Sequence, residues 1–282
     1  AMTDKPIIEL EGLTVRYGRL TAVTDLDLQV PQGGVYALLG RNGSGKSSTV
    51  RCLLGQQRAT AGTARLFGLD TWSNRRRVMS DVGVVPETPN IPPEMTALRL
   101  ERFLARISTT WDRSKFFSRL ERFGVPTGTR LSRLSKGQQK QLSLTAAISS
   151  SPQVLILDDP TLGLDPVARR ELFEELVGEL ADRGTTVLIT THDLAGVEGI
   201  ADRVGIIKDG RLLIDESLEG LKERFHRLAQ KPAENLQDAL QAAAGGGAGV
   251  SPAQLPSLPL TGKALSLEEI FIALCGPNGG AQ

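Results

Sequence analysis

A chain of 282 residues, 40% of them hydrophobic, is long enough for one large α/β domain, or a core with smaller lobes, around a buried interior. Lys and Arg number 33 against 32 Asp and Glu, and a net charge of +1 argues against a protein whose main ligand is nucleic acid, which would need a broad basic field. The two cysteines, Cys52 and Cys275, lie far apart without metal-ligand spacing, so neither a disulfide framework nor a zinc site is expected, only two free thiols in an intracellular protein.

The opening Ala1 to Leu10 is charged and carries no apolar stretch resembling a secretory signal. The longest apolar runs, such as Val154 to Leu157, are strand-sized and far short of the roughly 20 residues a membrane helix needs. Any membrane association is therefore expected through partners.

In chain order, alternating β-branched segments from Ile7 to Tyr17 and Thr24 to Val30 predict strands, the second ending at the turn signal Pro31-Gln32-Gly33-Gly34. Val35 to Leu39 predicts a short buried strand that runs into a glycine-rich loop, and Ser47 to Leu54 a helix stopping near Gly55. Val82 to Val85 reads as a further strand. Pro92 to Ser150 reads as a helical insertion, with apolar positions Leu98, Phe103, Leu104, Ile107, Phe116, Phe117 and Leu120 expected mostly in its own core.

Alternation then resumes: strand Val154 to Leu157, helix Pro166 to Arg183, strand Thr186 to Thr190, helix Leu194 to Ile200, strand Val204 to Lys208. Strands alternating with helices imply a parallel sheet. Asp209-Gly210 is a hairpin turn signal. A charged helix is expected from Ser217 to Leu228, a loose stretch rich in Ala, Gly, Pro and Gln from Pro232 to Gly262, and a final amphipathic helix, Leu267 to Leu274, docked on the body.

Gly40 to Ser47 reads GRNGSGKS, the G-x-x-x-x-G-K-[ST] pattern, between a predicted strand and a predicted helix. Glycines let Asn42, Gly43, Ser44, Gly45 and the following residues turn their backbone N–H groups toward phosphate oxygens at a helix N-terminus. Lys46 is then expected to reach the β- and γ-phosphates, Ser47 to ligate Mg2+ and Ser48 to bind the α-phosphate. VLILDDP, Val154 to Pro160, ends a buried strand in two carboxylates where open parallel sheets place ligands: Asp158 to hold Mg2+, Asp159 to orient and polarise an attacking water. His192, in LITTHD after the next strand, falls near the same edge and can face the γ-phosphate.

LSKGQQ, Leu134 to Gln139, opens a helix ahead of the Asp158 strand, and an ordinary phosphate-loop enzyme has no use for it. Together with GRNGSGKS, VLILDDP, Gly163-Leu164-Asp165 and His192, in that family's order, the chain closely resembles the ATP-binding subunits of ABC transporters from Ile7 to about Asp215. The resemblance implies an α/β phosphate-loop (RecA-like) core with a mainly parallel sheet, an N-terminal antiparallel β lobe and a helical signature subdomain. It divides the chain into a discontinuous ATP-binding core (1–90 and 151–215), a helical subdomain (91–150) and a C-terminal extension (216–282) with a loose linker at 232–262.

By the same resemblance, ATP and Mg2+ are the cofactors, and Tyr17 takes the place of the aromatic that stacks on adenine. Ser135, Lys136, Gly137 and Gln138 form the signature covering the nucleotide of the opposite subunit, helped by the helix N-terminus, and Asp165 communicates across the dimer. The implied partners are a second copy or homologous ATPase subunit and separate membrane permeases, at the cytoplasmic face of the membrane, with the helical lobe passing motion to the permease.

Three positions depart from the family pattern. Asp159 stands where a catalytic glutamate is usual, which puts the hydrolysis rate in question. Glu87, in VVPETP, occupies the place of the Mg2+-sensing glutamine, where a carboxylate still accepts a metal or water contact. Lys136 replaces the first glycine of the signature, tolerable if its side chain turns away from phosphate. The last two, with the ending SLEEIFIAL, are similar to bacterial exporter-type subunits of the bacitracin and multidrug kind. Three alternatives stay open: a non-transport ABC ATPase, which would typically carry two cassettes or long coiled-coil insertions; a phosphate-loop kinase, which leaves LSKGQ unexplained; and a slow nucleotide-gated binding switch, which Asp159 keeps in play. The charged helix and tail are open to a regulatory role, to shielding a dimer surface, or to being a solvated appendage.

Overall fold

The computed structural model describes residues 5–229 and 266–275. The loose stretch expected at 232–262 lies outside the described residues. Two sheets and a helical lobe organise the rest. The first sheet is antiparallel, in order β2-β1-β4-β5, from β1 (Ile8–Tyr17), β2 (Leu20–Val30), β4 (Ala61–Leu66) and β5 (Leu69–Asp70). The second, in order β10-β9-β3-β8-β7-β6, consists of β3 (Gly34–Leu39), β6 (Val82–Val85), β7 (Val154–Asp158), β8 (Thr186–Thr191), β9 (Arg203–Lys208) and β10 (Arg211–Ser217). All its neighbours run parallel except β9 and β10, a hairpin turning at Asp209-Gly210.

The parallel strands are mostly apolar because both faces are covered. Val35, Ala37 and Leu39 of β3 face one core, while the alternate residues Tyr36 and Leu38 face the other. The first core is closed by α5 (Lys136–Ile148), α6 (Pro166–Arg183) and α7 (Leu194–Glu198), and the second by α1 (Lys46–Leu53) and the antiparallel sheet. α7 stops two residues earlier than expected, at Glu198, with Gly199 as its C-cap.

Several elements differ from the sequence reading for identifiable reasons. β2 begins at Leu20, not Thr24, because a bulge with Asp25 at φ 48° breaks the alternation between Val23 and Leu26. β4, β5, β10 and the short α2 (Arg75–Val78) were not foreseen; β4 is held by pairing with β1 (Ile8 opposite Leu66) more than by its own composition, AGTARL. The 92–150 region resolves into α3 (Ala97–Ile107), α4 (Arg113–Arg122) and α5, around a small core of Ala97, Leu100, Phe116, Leu120, Val125, Leu131, Leu134 and Leu142. Leu104 and Phe117 pack against it, but Leu98, Phe103 and Ile107 are exposed, contrary to a core role. Arg119 and Arg122 of α4 pair with buried Glu175 of α6 and tie this lobe to the sheet domain.

The charged helix is α8 (Leu218–Ala229), and Leu218, Leu221 and Phe225 on it are buried in the first core, so it is not a solvated appendage. α9 (Leu267–Cys275) completes the same core with Leu267, Ile270, Phe271 and Leu274, and the Lys208 ammonium donates to the Leu274 carbonyl at 3.4 Å. Since Phe225 is 1% exposed, Phe225→Ala is expected to destabilise the protein by about 3–5 kcal/mol in denaturant melts. An unchanged melt would mean that α8 contributes nothing to the core.

Candidate functional site

The C-terminal ends of β3, β7 and β8 lie side by side, and the loops leaving them meet in one cavity of about 430 Å3. Its walls carry Tyr17, Asn42, Gly43, Ser44, Gly45, Lys46, Ser47, Ser48, Glu87, Asp159 and His192. Nearly every residue of the expected cis site is thus brought to one place; Asp158 adjoins it through Ser47.

The glycine loop is shaped by its neighbours. Gly45 has φ 113°, and a Cβ there would stand 2.6 Å from the Ala22 carbonyl, so any side chain would push the loop off the antiparallel sheet. The Lys46 ammonium curls back to donate to the Gly40 carbonyl at 2.7 Å and the Arg41 carbonyl at 3.2 Å. Burial lowers its pKa below the ordinary lysine value, while Asp159, Asp158 and Glu87 act in the opposite sense. The ammonium and the N-terminus of α1 thus concentrate positive potential where an anion would lie.

Opposite stand the carboxylates. Ser47 Oγ donates to Asp158 Oδ1 at 3.5 Å, and the same oxygen accepts a short bond from Thr190 Oγ1. Asp159 is buried with φ 46°, a left-handed conformation aspartate tolerates better than glutamate. Its N–H donates to the Thr190 carbonyl at 2.9 Å, and its Oδ1 lies 3.0 Å from His192 Nδ1 and 3.4 Å from Thr191 Oγ1. Asp193, next to His192, pairs with Arg169 at 3.2 Å, and Arg169 Nε donates to the Leu164 carbonyl, fastening the histidine loop to the Gly163-Leu164-Asp165 turn. The Asp165 carboxylate itself caps α6, accepting from Val167 and Ala168 N–H groups at 2.9 and 3.0 Å. Tyr17, 39% exposed, has its hydroxyl 3.4 Å from Ser48 Oγ, and Glu87, which lines the same cavity, is also exposed.

Ser135 to Gln138 do not line this cavity. They form the first turn of α5, where Ser135 accepts from the Gln138 N–H and Gln138 from the Ser135 N–H, a reciprocal capping box. Lys136 is exposed, and its stem lies beside Gly163.

One residue escaped the sequence reading. Lys140, 4% exposed on α5, donates to the Pro86 carbonyl at 3.0 Å and the Asp159 carbonyl at 3.4 Å, and burial lowers its pKa. It joins the signature helix, the Glu87 loop and the carboxylate strand at one ammonium. The available signal was a charged residue one turn before Leu144 and two before Ile148 on a buried helical stripe.

A family model described as ABC transporter matches residues 23–162. The bacitracin transport ATP-binding protein BcrA of Enterococcus faecalis is 36% identical over 226 residues, covering 79% of this chain and 73% of that protein. The chain belongs to the ATP-binding proteins of ABC transporters. The daunorubicin/doxorubicin resistance ATP-binding protein DrrA of Streptomyces peucetius is 36% identical over 220 residues, 76% of this chain and 66% of that one. Among solved structures, an ATP-binding subunit of an ABC transporter superposes with a TM-score of 0.71 at 25% identity, covering 82% of this chain and 97% of the other. The cassette MJ0796, solved as a dimer in a post-hydrolysis state with ADP and Pi, shares the fold with a TM-score of 0.67 at 23% identity, over 75% of this chain and 98% of that one. The chain is accordingly an ATP-binding ABC ATPase.

Because Lys140 positions the Asp159 backbone without lining the cavity, Lys140→Met is expected to lower the ATP turnover rate at least tenfold while the ATP Kd changes less than threefold. Single-turnover hydrolysis beside nucleotide binding measures both.

Proposed function

We propose that this ABC ATPase works as a pair around two Mg-ATP, driving export through separate membrane subunits from the cytoplasmic face. The observation carrying the paired reading is that the signature turn stands outside its own nucleotide cavity and has no internal need for its glycine. A Cβ at Gly137 would meet Ala168 and Ser135 only at 3.8 Å, ordinary contact. The demand for a bare backbone there comes from outside the chain: the γ-phosphate held by a partner, with the positive end of α5 and the hydroxyl of Ser135 directed at it. Asp165, capping α6 beside Lys136 and Gly163, is exposed and available to the same partner.

Within each site, Lys46 and the glycine-loop amides hold the β- and γ-phosphates, Ser48 the α-phosphate, and Tyr17 stacks on the base. Ser47 and Asp158 supply adjacent hard oxygen donors, which fit Mg2+, with Glu87 in the same cavity as a further acceptor; the metal would neutralise phosphate charge when bound. Asp159 orients the attacking water and accepts its proton, and His192, hydrogen-bonded to Asp159, faces the γ-phosphate. Closure follows because nucleotide binds the two-subunit arrangement better than the open one, and hydrolysis removes that difference. Leu98, Phe103 and Ile107, exposed on α3, suit a contact with the membrane subunit. Export is supported by the relatives named for bacitracin transport and drug resistance.

The shared site has a specific test. Lys46→Ala and Gly137→Ala are each expected to abolish Mg-ATP hydrolysis alone, but mixing the two variants restores it, because one of the two sites in a mixed pair has an intact loop and an intact signature. Wild-type turnover per chain rises with protein concentration. Failure of mixing to restore activity, with both variants folded, rejects the paired site.

A second reading, a slow nucleotide-gated switch, is favoured by one observation: the short Asp159 carboxylate is drawn toward His192 and Thr191. Asp159→Glu separates the two. Faster turnover identifies the missing methylene as the brake and favours the switch; unchanged or slower turnover means that aspartate is suited to this left-handed position.

A further inference from the structure

The last two residues of β8 each send a hydroxyl to one carboxylate of the site. Thr190, in register with Asp158, donates a short bond to Asp158 Oδ1, the oxygen that also accepts from Ser47, while its own oxygen accepts from the Asp159 N–H at 3.3 Å. Thr191 Oγ1 donates to Asp159 Oδ1 at 3.4 Å and accepts from the Asp193 N–H at 2.9 Å. Successive side chains of a strand leave on opposite faces, so the two hydroxyls reach the two carboxylates separately. Both threonines are completely buried and neither lines the cavity, so each acts through its aspartate.

The choice of acceptor sets these two apart. Buried Thr49, Thr71 and Thr185 give their hydroxyl protons to the main-chain carbonyls of Gly45, Cys52 and Pro152, which is how a buried threonine is ordinarily satisfied. A hydroxyl has a single proton, and at Thr190 and Thr191 it goes to a carboxylate, where a hydrogen bond is stronger than between neutral groups. Asp158 Oδ1 is thereby committed to two hydroxyls, which fixes the plane of the carboxylate and with it the other oxygen.

We propose that Thr190 and Thr191 are two separate positioning residues, Thr190 setting Asp158 for Mg2+ and Thr191 setting Asp159 for the attacking water. The inference rests on the roles proposed above for the two aspartates, and it divides one hydrogen-bonded group into halves with different outputs. The metal half is Ser47, Asp158 and Thr190. The water half is Asp159, Thr191 and His192, tied through Asp193 to Arg169. The halves meet at the Asp159 N–H, which donates to both the hydroxyl and the carbonyl of Thr190. The carbonyl bond, at 2.9 Å, survives any side-chain change, so removing the Thr190 hydroxyl leaves the Asp159 backbone held.

The test uses the full chain with Thr190→Val and Thr191→Val, which remove each hydroxyl at nearly constant shape, beside Asp158→Asn and Asp159→Asn. Calorimetry with the non-hydrolysable analogue AMP-PNP gives nucleotide Kd in Mg2+ and in EDTA, and rapid quench gives single-turnover hydrolysis at saturating Mg-ATP. Losing a partner that orients a ligating or reacting group costs about 10–100-fold, so Thr190→Val should shrink the Mg2+-dependent gain in affinity about tenfold or more. Its Kd in EDTA stays within about twofold, which verifies the fold, and saturating Mg2+ restores its hydrolysis. Thr191→Val keeps the Mg2+ gain and slows single-turnover hydrolysis about tenfold or more. Serine at either position restores the lost quantity, because the hydroxyl and not the methyl carries it. Where valine is not accommodated, alanine at the same position reads the same loss.

Equal losses of both quantities in both threonine variants, or no loss in either while the two asparagine variants show theirs, overturn the inference and leave the aspartate roles standing. An intact Mg2+ gain in Asp158→Asn, or an intact rate in Asp159→Asn, overturns the aspartate role together with the inference built on it.

Discussion

The glycine loop is clamped between two sheets, and the rest of the site depends on that clamp. Thr24 N–H donates to the Gly210 carbonyl at 2.8 Å and Gly210 N–H to the Ser44 carbonyl at 3.0 Å, a chain of backbone bonds running from the antiparallel sheet through the β9–β10 hairpin into the loop. Ala22 sits so close to Gly45 that no Cβ fits between them. A phosphate cradle made of backbone amides works only if those amides are already aimed, since reorganising them on binding would consume the gain. Here two sheets that share no strand hold the aim jointly.

That arrangement explains why the carboxylates of Asp158 and Asp159 follow so directly. β7 and β8 are in register with Asp158 opposite Thr190, so the strand ends deliver Asp158, Asp159, Thr190, Thr191 and His192 as one hydrogen-bonded group facing the loop. Lys140 extends the group to the helical lobe, and Arg119 and Arg122 on Glu175 fasten the lobe a second time. Among the described residues the lobe is thus attached at two polar junctions, one at the carboxylate group and one at Glu175. This suits a lever that changes angle while its own small core of Phe116, Leu120 and Leu142 stays intact.

Much of this was legible in the chain. GRNGSGKS and VLILDDP declare strand, loop and helix within a few residues, because local geometry and chemistry demand the same amino acids there. The bulge at Asp25 and the strand at Ala61 to Leu66 were not legible, since both exist through pairing with β1, tens of residues away in the second case. Leu98, Phe103 and Ile107 carried a helical periodicity that could not distinguish a lobe core from an outward face. Lys140 hid because a buried lysine looks like an ordinary charged helix residue until the carbonyls of Pro86 and Asp159 are seen around it.

The seat of α9 has a consequence for how the molecule is made. Leu267, Ile270, Phe271 and Leu274 fill a core whose other members include Val35 and Ala37, more than two hundred positions earlier. During synthesis α5, α6, α7 and α8 can pack on most of that face first, and the patch under α9 closes only after residue 275 has cleared the ribosome. Until then the nascent cassette exposes that apolar patch, the kind of surface that chaperones shield.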